Sequence, residues 1–145
     1  MAVDVVTRRI IRRDRASVSA FAADPDNAPD WYENIRSVEW VTPAPLGVGS
    51  RVAFVAQFLG RRLAYTYEIV DYEPGNRLVM RTAEGPFPME ISYGWEDAGG
   101  DTRMTLRNRG EPRGFSRVFA PFMALAMRRA NTKVLARLAA LLERG

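Results

Sequence analysis

The side chains available for chemistry in this 145-residue chain are few in kind. Histidine and cysteine are both absent. That removes Ser-His-Asp and Cys-His nucleophiles, thiolate redox chemistry, and every zinc site built on His or Cys. Any catalysis falls to Asp, Glu, Tyr, Arg, Ser, Thr or the single lysine, Lys133. The grouping that stands out is neutral and polar: the phenols of Tyr65, Tyr67 and Tyr93, the indole of Trp95 and the amide of Asn108. Such groups hydrogen-bond an oxygenated ligand without carrying charge.

What brings them together is a period of two. Strand-like segments follow one another at 36–43, 50–58, 61–73, 76–83, 88–97 and 101–109, separated by turn-forming pairs such as Pro74-Gly75 and Gly99-Gly100. Alternation sorts each strand into two faces. Leu63, Tyr65, Tyr67 and Ile69 share one face; so do Met89, Ile91, Tyr93 and Trp95; so do Thr102, Met104, Leu106 and Asn108. Leu78 and Met80, and Phe54 with Phe58, complete the apolar side. The mid-strand charges Glu68, Arg81, Glu90, Arg103 and Arg107 fall on the other side. Only Arg61 and Asp71 share the inward phase, both at strand ends. The inner face therefore has no mid-strand carboxylate pair of the kind a glycosidase needs.

A strand over 3–12 precedes this run, followed by a helix over 15–22 capped by Asp14, a turn at Asp24-Pro25-Asp26-Asn27, and a short helix over 29–34. After Gly110–Gly114 one long helix runs over 115–143, with helical periodicity clearest at Val134, Leu135, Leu138, Leu141 and Leu142. Its stretch 118–127 is apolar all round and contains Pro121, which either kinks the helix or marks its first turn. That half-helix reads as a mobile entrance, a dimer surface or a buried helix end. The element order is β-αα-ββββββ-α: an α+β fold in which a curved sheet wraps the last helix, with space between them. The inner face is then either a filled core or a pocket lined by Phe54, Tyr65, Tyr67, Met80, Met89 and Ile91. Further along the strands the same lining takes in Tyr93, Trp95, Met104 and Asn108, and the helix adds Phe119, Phe122 and Met123.

The formal charge is +4, and the last helix holds an excess of it: Arg117, Arg128, Arg129, Lys133, Arg137 and Arg144 against Glu143. Elsewhere basic and acidic residues interleave, so no nucleic-acid stripe forms and the basic helix reads as a solvated face. The N-terminus has no apolar signal region, and no stretch is long enough to span a bilayer. The expectation is a cytoplasmic protein of one domain over 1–145, without metal or cofactor and without stable membrane insertion. A small hydrophobic ligand is the expected partner. A homodimer is left open.

Several local patterns are similar to a known family. They are Phe21-Ala-Ala-Asp24-Pro-Asp-Asn27-Ala-Pro29-Asp-Trp31 followed by Ile35-Arg-Ser-Val38-Glu39; Gly47-Val-Gly49-Ser-Arg51; Tyr72-Glu-Pro74-Gly-Asn-Arg77-Leu78; and Gly99-Gly-Asp-Thr102-Arg103-Met-Thr-Leu106. Together with the closing helix they resemble the START-related helix-grip superfamily (SRPBCC), in its bacterial polyketide cyclase/dehydrase-like branch. The resemblance covers essentially the whole chain. It implies a helix-grip fold: a seven-stranded antiparallel sheet around a long C-terminal helix, two short helices between the first two strands, and a cavity for lipids, polyketides or quinone-like molecules. Trp31 would pack the short helices on the sheet edge. Family cyclases use pocket Arg and Tyr; here the Tyr residues face inward and the mid-strand Arg residues outward. Ligand binding is the leading expectation, with a polyketide aromatase/cyclase using the pocket Tyr residues, aided by Arg61 or Asp71 at the mouth, as the alternative.

Overall fold

The computed structural model describes residues 3–58, 60–85, 88–110 and 120–144. Strand β1 (Val3–Ile11) leads into helix α1 (Arg15–Ala23), a 3-10 turn (Pro25–Asn27) and helix α2 (Ala28–Trp31). Six strands follow: β2 (Ile35–Trp40), β3 (Arg51–Phe58), β4 (Arg61–Glu73), β5 (Arg77–Glu84), β6 (Met89–Ala98) and β7 (Asp101–Gly110). Helix α3 (Ala120–Glu143) closes the chain. The strands form one antiparallel sheet in the order β1-β7-β6-β5-β4-β3-β2. Each hairpin neighbour pairs with the next, and β1 returns to the far edge to pair with β7.

The inward phase read from the sequence is the observed one. Leu63, Tyr65, Tyr67 and Ile69 are buried on β4, as are Met104, Leu106 and Asn108 on β7. The pairing register shifts between Thr66 and Tyr67 and between Ile69 and Asp71 on β4, and between Ile35 and Ser37 on β2. Such bulges bend a strand and increase its twist, which curls the sheet towards α3. Helix α3 lies along β1 and touches α2. Its Met127, Asn131, Val134, Leu135, Leu138 and Leu142 are buried at helical spacing, and a fully buried leucine contributes about 1.5–3 kcal/mol. Pro121 stands in the first described turn of α3. At the other end, the Arg13 guanidinium donates to the Leu142 carbonyl at 2.8 Å, satisfying an orphan acceptor of the last turn.

Asp14 caps α1, accepting from the Ser17 amide at 3.0 Å, and Asp24 does the same for the 3-10 turn from Asp26. The second short helix is shorter than the sequence predicts and ends at Trp31, because residues 32–34 turn into β2. Trp31 also departs from expectation. It is fully buried, with its ring 5.6 Å from that of Tyr93, so it packs on β6 inside the sheet and not on an edge.

Candidate functional site: a neutral cavity between sheet and helix

Between the concave face and α3 lies a partly enclosed cavity of about 120 Å³. Its sheet wall comes from Phe54 and Ala56 on β3, Leu63, Tyr65 and Tyr67 on β4, Met80 on β5, Met89, Ile91 and Tyr93 on β6, and Asn108 on β7. Its helix wall is Met127, Ala130, Asn131 and Val134 of α3. Ala28 and Tyr32, with Asn34 and Ile35, close it from the α2 side. A second hollow of about 20 Å³ lies behind Phe54, Tyr67, Met80 and Tyr93, which line both.

The rim depends on two residues without a Cβ. A Cβ at Gly85 would run into the Tyr65 ring, and one at Gly110 would meet the Met89 sulfur and stand 3.0 Å from the Pro88 carbonyl. Glycine thus lets the ends of β5 and β7 approach the side chains that form the wall.

Aromatic contacts hold the lining in place. Tyr65 and Tyr67 have ring centroids 5.6 Å apart, and Phe54 meets Tyr67 edge-on at 5.9 Å. Trp31 packs on Tyr32 at 4.4 Å and on Tyr93 at 5.6 Å. The hydroxyls of Tyr32 and Tyr93 hydrogen-bond to one another at 3.1 Å. Burial pushes every one of these phenols up: Tyr65 to about 12, Tyr67 and Tyr93 further still, and Tyr32 well above its ordinary value. All four are neutral hydrogen-bond donors across the physiological range, and none is a base. Among the described lining residues there is no Asp, Glu, Lys or Arg. Arg61 and Asp71 are not lining residues either; Asp71 is held on the outside by Arg77 at 2.6 Å. The described residues contain no cluster of metal-ligating side chains.

Two lining side chains are unsatisfied. Asn108 Oδ1 and Asn131 Nδ2 are buried without a hydrogen-bond partner, and their residues are 9% and 4% exposed.

Eight of the residues singled out from the sequence meet at this cavity: Phe54, Tyr65, Tyr67, Met80, Met89, Ile91, Tyr93 and Asn108. Trp95, Met104 and Met123 are buried in the core without reaching the wall. Phe122 is 67% exposed and points away from it. Phe119 lies outside the described residues. Sequence reasoning missed Tyr32, Asn131 and Val134. For Asn131 a signal existed: it is a polar residue inside the apolar stripe Met123, Met127, Asn131, Leu135, Leu138, Leu142.

The profile of a family described as polyketide cyclase / dehydrase and lipid transport matches residues 2–143. The chain belongs to this family. Solved structures agree on the fold. A protein from Thermus thermophilus, TTHA0849, superposes with a TM-score of 0.84 at 21% identity, with 97% of each chain covered. A START superfamily protein from Mycobacterium smegmatis gives 0.81 at 11% identity, again with 97% of each covered. The ZhuI aromatase/cyclase from Streptomyces sp. R1128 gives 0.81 at 17% identity, covering 97% of this chain and 93% of that one. No curated protein matches. The fold is the helix-grip fold of the START/SRPBCC superfamily. No described helix is long and apolar enough to cross a membrane.

Proposed function

We propose that this family member binds a hydrophobic small molecule, such as a lipid, polyketide or quinone-like compound, in the cavity between sheet and α3. The observation that carries this reading is the cavity's composition: apolar and aromatic walls, a few neutral polar groups, and no Asp, Glu, Lys or Arg among the described lining residues. Such sites gain affinity from burying apolar ligand surface, at about 25 cal/mol per Å² before the costs of association. A volume of about 120 Å³ is close to that of cavities of about 150 Å³ that take one benzene ring. A longer ligand needs the mouth or the second hollow as well.

The cyclase reading is supported by the family and by the fold shared with an aromatase/cyclase. The phenols restrict it to orienting carbonyls, because buried tyrosines with raised pKa values do not remove a proton near neutrality. Native mass spectrometry of freshly purified protein, followed by organic extraction, tests the binding reading. A stoichiometric neutral apolar adduct supports it. A bare protein whose melting temperature is unmoved by any of a panel of lipids, quinones and aromatic ketones contradicts it.

A further inference from the structure

We propose that the outward face of α3 is a reversible docking surface for an anionic lipid bilayer. Helical spacing sorts the helix into two sides. Met123, Met127, Val134, Leu135 and Leu138 turn inward and are buried, and Met127 and Val134 line the cavity. Phe122, Leu125, Arg129 and Lys133, three or four residues apart, form one exposed stripe on the other side. Phe122 is 67% and Leu125 44% exposed, so adjacent turns leave two large apolar side chains in water. The cations follow directly. Arg128, Arg129 and Lys133 are exposed and make no ion pair with any described residue. Arg137, one turn further, is exposed and gives its Nε to the Asp30 carbonyl at 2.6 Å, keeping its charge. The one carboxylate of α3, Glu143, sits at the far end against Arg12 at 3.4 Å.

Apolar surface in water favours burial, and unpaired cations attract an anionic surface. A bilayer containing acidic lipids answers both at once. Phe122 and Leu125 reach the boundary between headgroups and acyl chains, while Arg128, Arg129 and Lys133 meet the phosphates. From Phe122 to Lys133 the stripe is about 16 Å long, which suits a contact along the surface. It is not a crossing, because no described helix is long and apolar enough for one. Other occupants use less of the stripe. A second copy laid along it would set cations against cations. A nucleic acid would meet the cations and leave Phe122 and Leu125 in water. The stripe faces away from the cavity wall, so its role does not depend on a ligand being bound there.

Co-sedimentation of the whole protein with vesicles tests this. One set is phosphatidylcholine alone; the other holds equal parts of phosphatidylcholine and phosphatidylglycerol. The wild type is expected to bind the acidic vesicles, to ignore the zwitterionic ones, and to be released as salt is raised. Arg129→Gln combined with Lys133→Gln is expected to weaken binding about 25-fold, at about fivefold for each cation. Phe122→Ser combined with Leu125→Ser is expected to weaken it about tenfold or more and to keep the salt dependence. The chain carries a net charge of +4, so any anionic surface attracts it weakly. Arg8→Gln combined with Arg62→Gln controls for that by removing two exposed cations from the sheet, and is expected to change binding by less than about twofold. All these positions are exposed, and folding of each variant is checked by thermal melting. An equal loss in the sheet control, or no loss in the serine variant, overturns the docking face. So does a wild type that ignores acidic vesicles. A chain that sedimentation velocity finds dimeric until Phe122→Ser separates it assigns the stripe to a second copy, and overturns the proposal as well.

Discussion

In β7, Arg107 grips Asp4 at 2.7 Å on the outer face, and Arg109 reaches Glu90 at 3.0 Å, while Asn108 between them is buried on the cavity side. The same contrast runs across the sheet. Outside, Glu90 also holds Arg81 at 2.7 Å, and Arg51 holds Glu68 at 3.0 Å. Inside, the described cavity wall carries no charge, and its polar groups are phenols and amides. The outer ladder is wet, so each charge has water as a fallback and each pair contributes little. The inner face has no such fallback. A polar group there is either satisfied or costly. One strand can follow both rules because successive side chains point to opposite faces.

The contrast breaks most severely if a charge is moved inside. Met80→Asp places a carboxylate among Tyr67, Tyr93 and Ile91, where no described cation faces it. The expected loss is about 4 kcal/mol or more, read as a large drop in the urea midpoint. Next comes pH. The inner phenols are held protonated above their ordinary value of 10.0. The unfolded chain ionises them near that value and the folded chain does not. Stability therefore falls as pH rises above 10, by about 1.4 kcal/mol per pH unit for each buried tyrosine, until the folded-state pKa is reached. Outer carboxylates act in the opposite direction. Arg107 holds Asp4 below 3.8, and the Arg12 amide and guanidinium hold Glu143 below 4.5. Their contribution is present above those ordinary values and is lost as pH falls through the lowered ones. Denaturation midpoints measured from acid to base are expected to drop gently at the acid end and steeply at the alkaline end. A symmetrical profile would contradict the division between faces.

A smaller effect sharpens the inner side. Tyr93→Phe removes one partner of the Tyr32 hydroxyl and is expected to cost about 1–2 kcal/mol in the same unfolding assay. On the outer side, Glu90→Gln gives up its ion pairs with Arg81 and Arg109 and is expected to cost no more than about 1 kcal/mol, less in high salt.

Much of this was legible in the sequence, for reasons tied to particular residues. Strand faces follow a period of two, so alternation alone assigns Tyr65, Tyr67, Met80, Tyr93 and Asn108 to the inner side. The helix was harder. Residues 118–127 are apolar all round, which hides the phase, and Phe122 falls on the outside while Met123 falls on the inside. The polar interruption at Asn131 fixes that phase, yet it is visible only when Met123, Met127 and Leu135 are aligned with it. Tyr32 left no local trace. It follows a four-residue helix with no periodicity, and it reaches the cavity because Trp31 anchors that helix on Tyr93.

The most direct test of the central claim uses the methionine methyl groups. Met80, Met89 and Met127 line the cavity, whereas Met104 and Met123 are buried outside it. With 13C-methyl methionine and 4-hydroxyacetophenone as the titrant, the three lining methyls are expected to shift together and saturate with one binding constant, while Met104 and Met123 stay in place. Shifts spread over all five, or none up to the solubility limit of the probe, would contradict a ligand-binding cavity between sheet and helix.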